Sequence, residues 1–259
     1  MREMEPVMFH PSGSPAPAFV PDPARGRVFA VSRDVRSSEV TPGGRLRFDA
    51  LARYLQDAAE DDLAEAGWRE PYGWLVRRVS VAISGYPAHG DPLSIRTFCS
   101  ATGPRWAERT TTVTRSGTDL MQAVAVWAAV GREDGRPVPL GPEFHRLYGG
   151  ATEGRTVSAR LSLPGPPGQA SRAWPLRASD FDTAGHVNNA IAWAAAEDLL
   201  AGLDWLPARA ELEYRRPILP GCDVRLAASH APDQLSCWLL NGTQTLASAQ
   251  LSRGIPGPE

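Results

Sequence analysis

The 259-residue chain is predicted to be an α+β protein in which one plan, a long helix followed by several antiparallel strands, is used twice. Two observations carry this. The segments "AAEDDLAEAGW" (58–68) and "AAEDLLAGLDW" (195–205) agree at seven of eleven positions and both end in tryptophan, the mark of an internal repeat. Downstream, "YPAHGDPLSIR" and "RPILPGCDVRL" match loosely with one residue inserted, and strand-like runs follow in both halves. The simple physical solution is two sheets, each wrapped around its own apolar helix and joined edge to edge, which hides exposed strand edges.

Residues 1–26 are rich in Pro, Ala and Ser and are predicted to be a disordered tail. The first repeat spans 27–150. It opens with a strand, "RVFAVSRDV", and a turn, "TPGGR". A helical stretch follows, "FDALARYLQDAAEDDLAEAGW", with Leu51, Leu55 and Ala59 spaced by four on one buried face and Gly67 as terminator. "WLVRRVSVAIS", "DPLSIRTFCSAT", "RWAERTTTVTR" and "LMQAVAVWAAV" are strand candidates. The second repeat spans 151–259 and includes a Pro/Gly-rich linker at about 160–172. Its helix lies in "HVNNAIAWAAAEDLLAGLDW" and its strands in "ARAELEYRRP", "CDVRLAASH", "LSCWLLN" and "TLASAQLSR".

Composition narrows the function classes. Apolar content of 42%, charged content of 22% and a net charge of −2 fit a soluble globular protein and argue against a nucleic-acid partner. No run approaches the roughly 18 apolar residues of a membrane helix. No basic segment followed by an apolar core opens the chain, so no signal peptide is expected. Cys99, Cys222 and Cys237 form no CxxC pair and read as reduced thiols of a cytoplasmic protein. The five histidines are dispersed without metal-ligand spacing, and P-loop, GxGxxG and GxSxG patterns are absent, so no metal and no cofactor is implied.

The chemistry concentrates in residues 180–197, within "DFDTAGHVNNAIAWAAAEDLL". Asn188 and Asn189 suit a helix start, because their side chains can accept from free backbone N–H groups. Gly185 permits an unusual backbone conformation or the close approach of a ligand. The helix then runs through Trp193, Ala196 and Leu200 toward the core. Its N-terminus offers free N–H donors and partial positive charge to a carbonyl oxygen becoming an oxyanion. Asp182 could act as nucleophile or as a base on water, and His186 could shuttle a proton or orient the carboxylate. Asp180 reads as a turn residue. Glu197, paired with Glu60 in the repeat, reads as holding a structural place shared by both halves. At the repeat separation of 137 residues, Asp182, His186, Asn188 and Asn189 fall opposite Arg45, Asp49, Leu51 and Ala52. The first half then lacks the constellation, and one site per chain is expected, led by the second half with the first as wall, floor and interface.

"DFDTAGHVNN" leading into "W…E" resembles the acyl-ACP thioesterases. These are double hot-dog proteins: two antiparallel sheets, each wrapped around a long helix and joined edge to edge. "RLRFDALARYLQDAAEDD", "WLVRRVSVAISGYPAHGDPLSIRTF", "RWAERT", "GRPVPL" and "ELEYRRPILPG" follow in family order, so the resemblance covers about residues 27–253. The composition is closest to the actinobacterial branch. The resemblance implies hydrolysis of fatty acyl-ACP, or acyl-CoA, to free fatty acid and carrier thiol. It gives Asp182, His186 and Asn188 as catalytic residues, and Gly185, Val187, Asn189 and Trp193 as substrate-binding ones. Backbone N–H groups of residues 187–189 would form the oxyanion site. The chain departs from the plant-type pattern at Ala184, where that pattern has Asn, and at Pro217, where it has Glu. "DTAG" is instead similar to Asp-dependent single hot-dog thioesterases of the hydroxybenzoyl-CoA type. An acidic carrier protein would dock on Arg77, Arg78, Arg105, Arg109, Arg215 or Arg216, with no membrane insertion and a monomer or homodimer as the assembly. The alternatives are a non-catalytic acyl-binding or scaffold protein and a hot-dog dehydratase or hydratase.

Overall fold

The computed structural model describes residues 20–69, 72–168 and 170–253. In chain order the elements are β1 (Val28–Asp34), α1 (Phe48–Glu65), β2 (Tyr72–Ile83), β3 (Pro92–Thr102), β4 (Trp106–Arg115), β5 (Thr118–Gly131) and α2 (Pro142–Thr152). They continue with β6 (Arg172–Ala173), α3 (Asn189–Leu200), β7 (Pro207–Tyr214), β8 (Val224–Ala231), β9 (Gln234–Asn241) and β10 (Gln244–Arg253). The strands form one antiparallel sheet in the order β1-β3-β4-β5-β2-β7-β10-β9-β8-β6. Reading outward from the centre gives the same sequence of strands on both sides, so the two halves repeat one topology. They meet where β2 pairs with β7, from Arg78 opposite Glu213 to Ala82 opposite Arg209.

Local sequence explains the elements. Leu51, Leu55 and Ala58 recur on one buried face of α1, and Gly67, at φ +68°, ends the helix in the left-handed region. The central strands alternate apolar residues onto the helices, and Leu235, Cys237 and Leu239 of β9 lie in the main core. The helices α1 and α3 pack antiparallel. Phe48 stacks on Trp193 with ring centroids 5.5 Å apart, and Arg45 just before α1 reaches Glu197 near the end of α3.

Four features differ from the sequence reading. Residues 20–26 are not part of a free tail: Gly26 lies so close to α2 that a Cβ there would stand 2.3 Å from the Ala151 nitrogen. The rest of the predicted tail, residues 1–19, lies outside the described residues. Helix α2 was not foreseen. Pro142 starts it, and Phe144, Tyr148 and Ala151 bury one face against an aromatic cluster with Trp68, Tyr72 and Trp74. The linker is bound down rather than loose. Trp106 donates to Val157, Arg78 to Arg160, Arg215 to Leu163 and Trp238 to Pro164, while Glu213 accepts from the Ser162 and Leu163 amides. The fourth difference, the register of the repeat, concerns the site. Among the described residues, no helix is long and apolar enough to cross a membrane.

Candidate active site

Residues 180–188 form a closed turn ahead of α3. The Asp182 N–H donates to the His186 carbonyl, the Gly185 N–H to the Asp182 carbonyl and the Asn188 N–H to the Asp180 carbonyl, while Phe181 bridges to Val187. Gly185 sits at φ +74°, where a side chain would strain the turn. The buried Asp180 carboxylate accepts from the Arg177 N–H and guanidinium, so it locks the turn as a structural residue. Asn188 caps α3: its side-chain oxygen accepts from the Ala190 N–H at 2.9 Å.

Residues 39–47, ahead of α1, make the same turn. Thr41 N–H donates to Arg45 O, Gly44 N–H to Thr41 O and Arg47 N–H to Glu39 O, Val40 bridges to Leu46, and Gly44 sits at φ +82°. The separation between the turns is 141 residues, not the 137 read from the helix ends. The structural counterparts of Asp182, His186, Asn188 and Asn189 are therefore Thr41, Arg45, Arg47 and Phe48. The physical reason is an insertion of four residues within α1, close to one helical turn, which keeps the buried face nearly in phase and so conceals itself in the periodicity.

The predicted residues divide between two recesses that meet at Asn189. A cavity of about 480 Å³ is bordered by Asp182, Thr183, Ala184 and Asn189. It extends along Gln56, Glu60 and Leu63 of α1 to Trp68, Trp74 and Phe144. A recess of about 60 Å³ is bordered by His186, Val187, Asn188 and Asn189, with Arg77, Arg215, Arg216 and Pro217 around them. Asp182 and His186 are joined only through the backbone; among the described residues their side chains make no hydrogen bond to each other. One Asp182 oxygen, Oδ1, accepts from the Ala184 N–H at 2.9 Å; Oδ2 has no partner among the described residues.

The N–H donors expected at residues 187–189 are not equivalent. Val187 donates to Ile218 O and Asn188 to Asp180 O, which removes both from service. The Asn189 N–H, at the first helical position, has no acceptor among the described residues. Its counterpart in the first half, the Phe48 N–H, is occupied: it donates to Oε2 of Glu197 at 3.0 Å. Glu197 is buried and also pairs with Arg45. The antiparallel helix pair puts Gln56 opposite Asn189 and Glu60 one turn farther on. Glu60 is exposed and accepts from Gln56, so Glu60 and Glu197 do not share one structural place.

Two further expectations change. Trp193 is 1% exposed and stacked in the core, bordering neither recess. Of the docking arginines, Arg109 faces inward onto Asp62, while Arg78 and Arg215 hold the linker. Arg77 is half-buried beside His186, and burial lowers its pKa. Arg105 and Arg216 stay exposed. Sequence reasoning missed Gln56, Glu60 and Arg109 as cavity residues; the spacing of 56, 60 and 63 along one helix face was the available signal.

Paired antiparallel helices inside a doubled, continuous antiparallel sheet define the double hot-dog class. Residues 26–148 match the family model for the acyl-ACP thioesterase N-terminal domain. An uncharacterized protein of Mycobacterium tuberculosis is 27% identical over 240 residues, covering 91% of this chain and 96% of its own. Among solved structures, an acyl-ACP thioesterase from Bacteroides thetaiotaomicron superposes with a TM-score of 0.71 at 18% identity, over 87% of this chain and 97% of that one. The 12:0-ACP thioesterase from Umbellularia californica does so with a TM-score of 0.75 at 20% identity, over 88% and 97%. The chain thus shares the double hot-dog fold of these thioesterases, and its first half is similar to the acyl-ACP thioesterase N-terminal domain.

Proposed function

We propose that this protein hydrolyses fatty acyl thioesters carried on acyl carrier protein, releasing free fatty acid and carrier thiol, with Asp182 as general base and the Asn189 N–H as the oxyanion donor. The supporting observation is internal to the molecule. The Phe48 N–H, which occupies the same place in the first half, holds a carboxylate oxygen; the Asn189 N–H stands at the equivalent helix position, has no acceptor among the described residues, and borders a cavity with Asp182. Asp182 Oδ1 is fixed by Ala184 N–H, which leaves Oδ2 to take a proton from water. The hydroxide adds to the thioester carbon, the carbonyl oxygen becomes the oxyanion at Asn189, and the C–S bond then breaks with a proton returned to sulfur. The acyl chain lies in the cavity along α1. The His186 imidazole, in the adjoining recess, assists without a hydrogen bond to the Asp182 carboxylate.

The test is thiol release from a panel of acyl-ACPs and acyl-CoAs. Asp182→Asn should lower kcat by at least about 100-fold, the usual scale of general-base catalysis, without a change in Tm. Equal rates for wild type and variant, or no release from any thioester, would sink the assignment.

A further inference from the structure

Arg109 of β4 lines the acyl cavity with its side chain only 12% exposed. It is anchored there. Its Nη1 lies 2.7 Å from the buried Asp62 carboxylate and donates weakly to Thr97 Oγ1 at 3.4 Å, and the guanidinium sits over the Tyr148 ring. Asp62 is itself shared with Arg27. Of the five N–H donors of a guanidinium, those on Nε and Nη2 of Arg109 make no well-aligned hydrogen bond among the described residues, with the Asp62 carboxylate and the Tyr148 ring packed on one side of the group. The indole N–H groups of Trp74 and Trp127, from two more residues of the same wall, are buried without an acceptor among the described residues.

A saturated alkyl chain laid along this wall would strip water from Arg109 and return nothing, and a buried unpaired charged donor is costly. Position matters as well. The thioester end of the cavity lies at Asp182 and Asn189, opposite Gln56, and Asp62 is about 9 Å farther along α1. The donors therefore meet the distal part of the chain rather than the reacting carbonyl.

Resting on the thioesterase reading, we propose that the preferred acyl group carries an oxygen acceptor on its distal portion, a hydroxyl, keto or carboxylate oxygen received by Arg109. The test is binding of non-hydrolysable thioethers: S-octyl-, S-decyl- and S-dodecyl-CoA against their ω-hydroxy, ω-keto and ω-carboxy counterparts, followed by tryptophan fluorescence on the full chain. At the best length an oxygenated thioether should bind at least about tenfold tighter, the size of one charge-assisted hydrogen bond. The winning oxygen identifies the group. Arg109→Met should bring the ratio toward one, and Arg109→Lys, which keeps a cation beside Asp62, should restore part of it. Equal affinities at every length, no binding at all, or a ratio unchanged in Arg109→Met would overturn the proposal. Thioethers that bind with the expected ratio while thioesters go uncleaved would overturn the hydrolysis reading alone.

Discussion

The turn at residues 39–47 and the turn at residues 180–188 share one backbone hydrogen-bond scheme, yet one is plugged and the other open. In the first half, Arg45 and the Phe48 N–H are both satisfied by Glu197 from the partner helix. Arg47 and Arg53 clamp Asp49 in the next turn. In the second half the counterpart of Arg45 is His186, and the counterpart of Phe48 is Asn189, whose N–H has no acceptor among the described residues. The sequence relative of Glu197 is Glu60, and the extra turn of α1 carries it past Asn189, leaving neutral Gln56 opposite. One helix start is thus closed by an internal carboxylate, and the other is the one we propose receives the oxyanion.

The sharpest way to break this comparison is to remove the open N–H itself. Asn189→Pro should lower kcat by about 100- to 1000-fold, as loss of an oxyanion donor does. It should leave Tm almost unchanged, because proline is tolerated at the first helical position and Asn188 is already extended at ψ 139°. Asn189→Ala, which keeps the N–H, should retain most of the rate. If proline is harmless to turnover, the oxyanion assignment fails. The mirror experiment is Glu197→Ala. It strands Arg45 and the Phe48 N–H and should destabilise the fold by about 3 kcal/mol in urea titrations. A variant as stable as wild type would show that the clasp is not structural.

His186→Ala sharpens the division between the recesses. Because the His186 imidazole makes no hydrogen bond to the Asp182 carboxylate, the loss in kcat should stay within about tenfold, below the roughly 100-fold of a direct proton-transfer group. A loss equal to that of Asp182→Asn would place both in one catalytic unit. The smallest effect is on acid stability. Burial pushes the Asp49 carboxyl up, but hydrogen bonds from Arg47 and Arg53 outweigh it and hold the pKa below the ordinary value. A depressed carboxyl stabilises the fold fully above its unfolded pKa of about 3.9 and loses that contribution as pH falls through its own lower value. Asp49→Asn should therefore cost about 1 kcal/mol at pH 7 and flatten the acid limb of a Tm-against-pH curve. A variant that lowers Tm equally at all pH values would contradict it.

Much of the fold was legible because its signals are local. The spacing of Leu51 and Leu55, the glycine at position 67 and the apolar runs of the strands follow from backbone period and side-chain type. The repeated tryptophans 68 and 205 exposed the duplication. Helix α2 was missed although Pro142, Phe144 and Tyr148 carried a start signal and a helical spacing, because a short helix between Gly and Pro segments reads as loop.

The sequence by itself determined that the chain repeats one helix-and-strands plan, and that the dense polar cluster stands ahead of the second helix only. Residue type and periodicity suffice for both. Tertiary structure alone decided which groups in that cluster are free. Val187 and Asn188 amides are taken by carbonyls 31 and 8 residues away along the chain, and Arg109 turns inward because β4 faces α1 at that register. Such pairings depend on where distant segments meet, and a helix insertion of almost one whole turn leaves the local pattern intact while moving a carboxylate from the plug to the cavity wall.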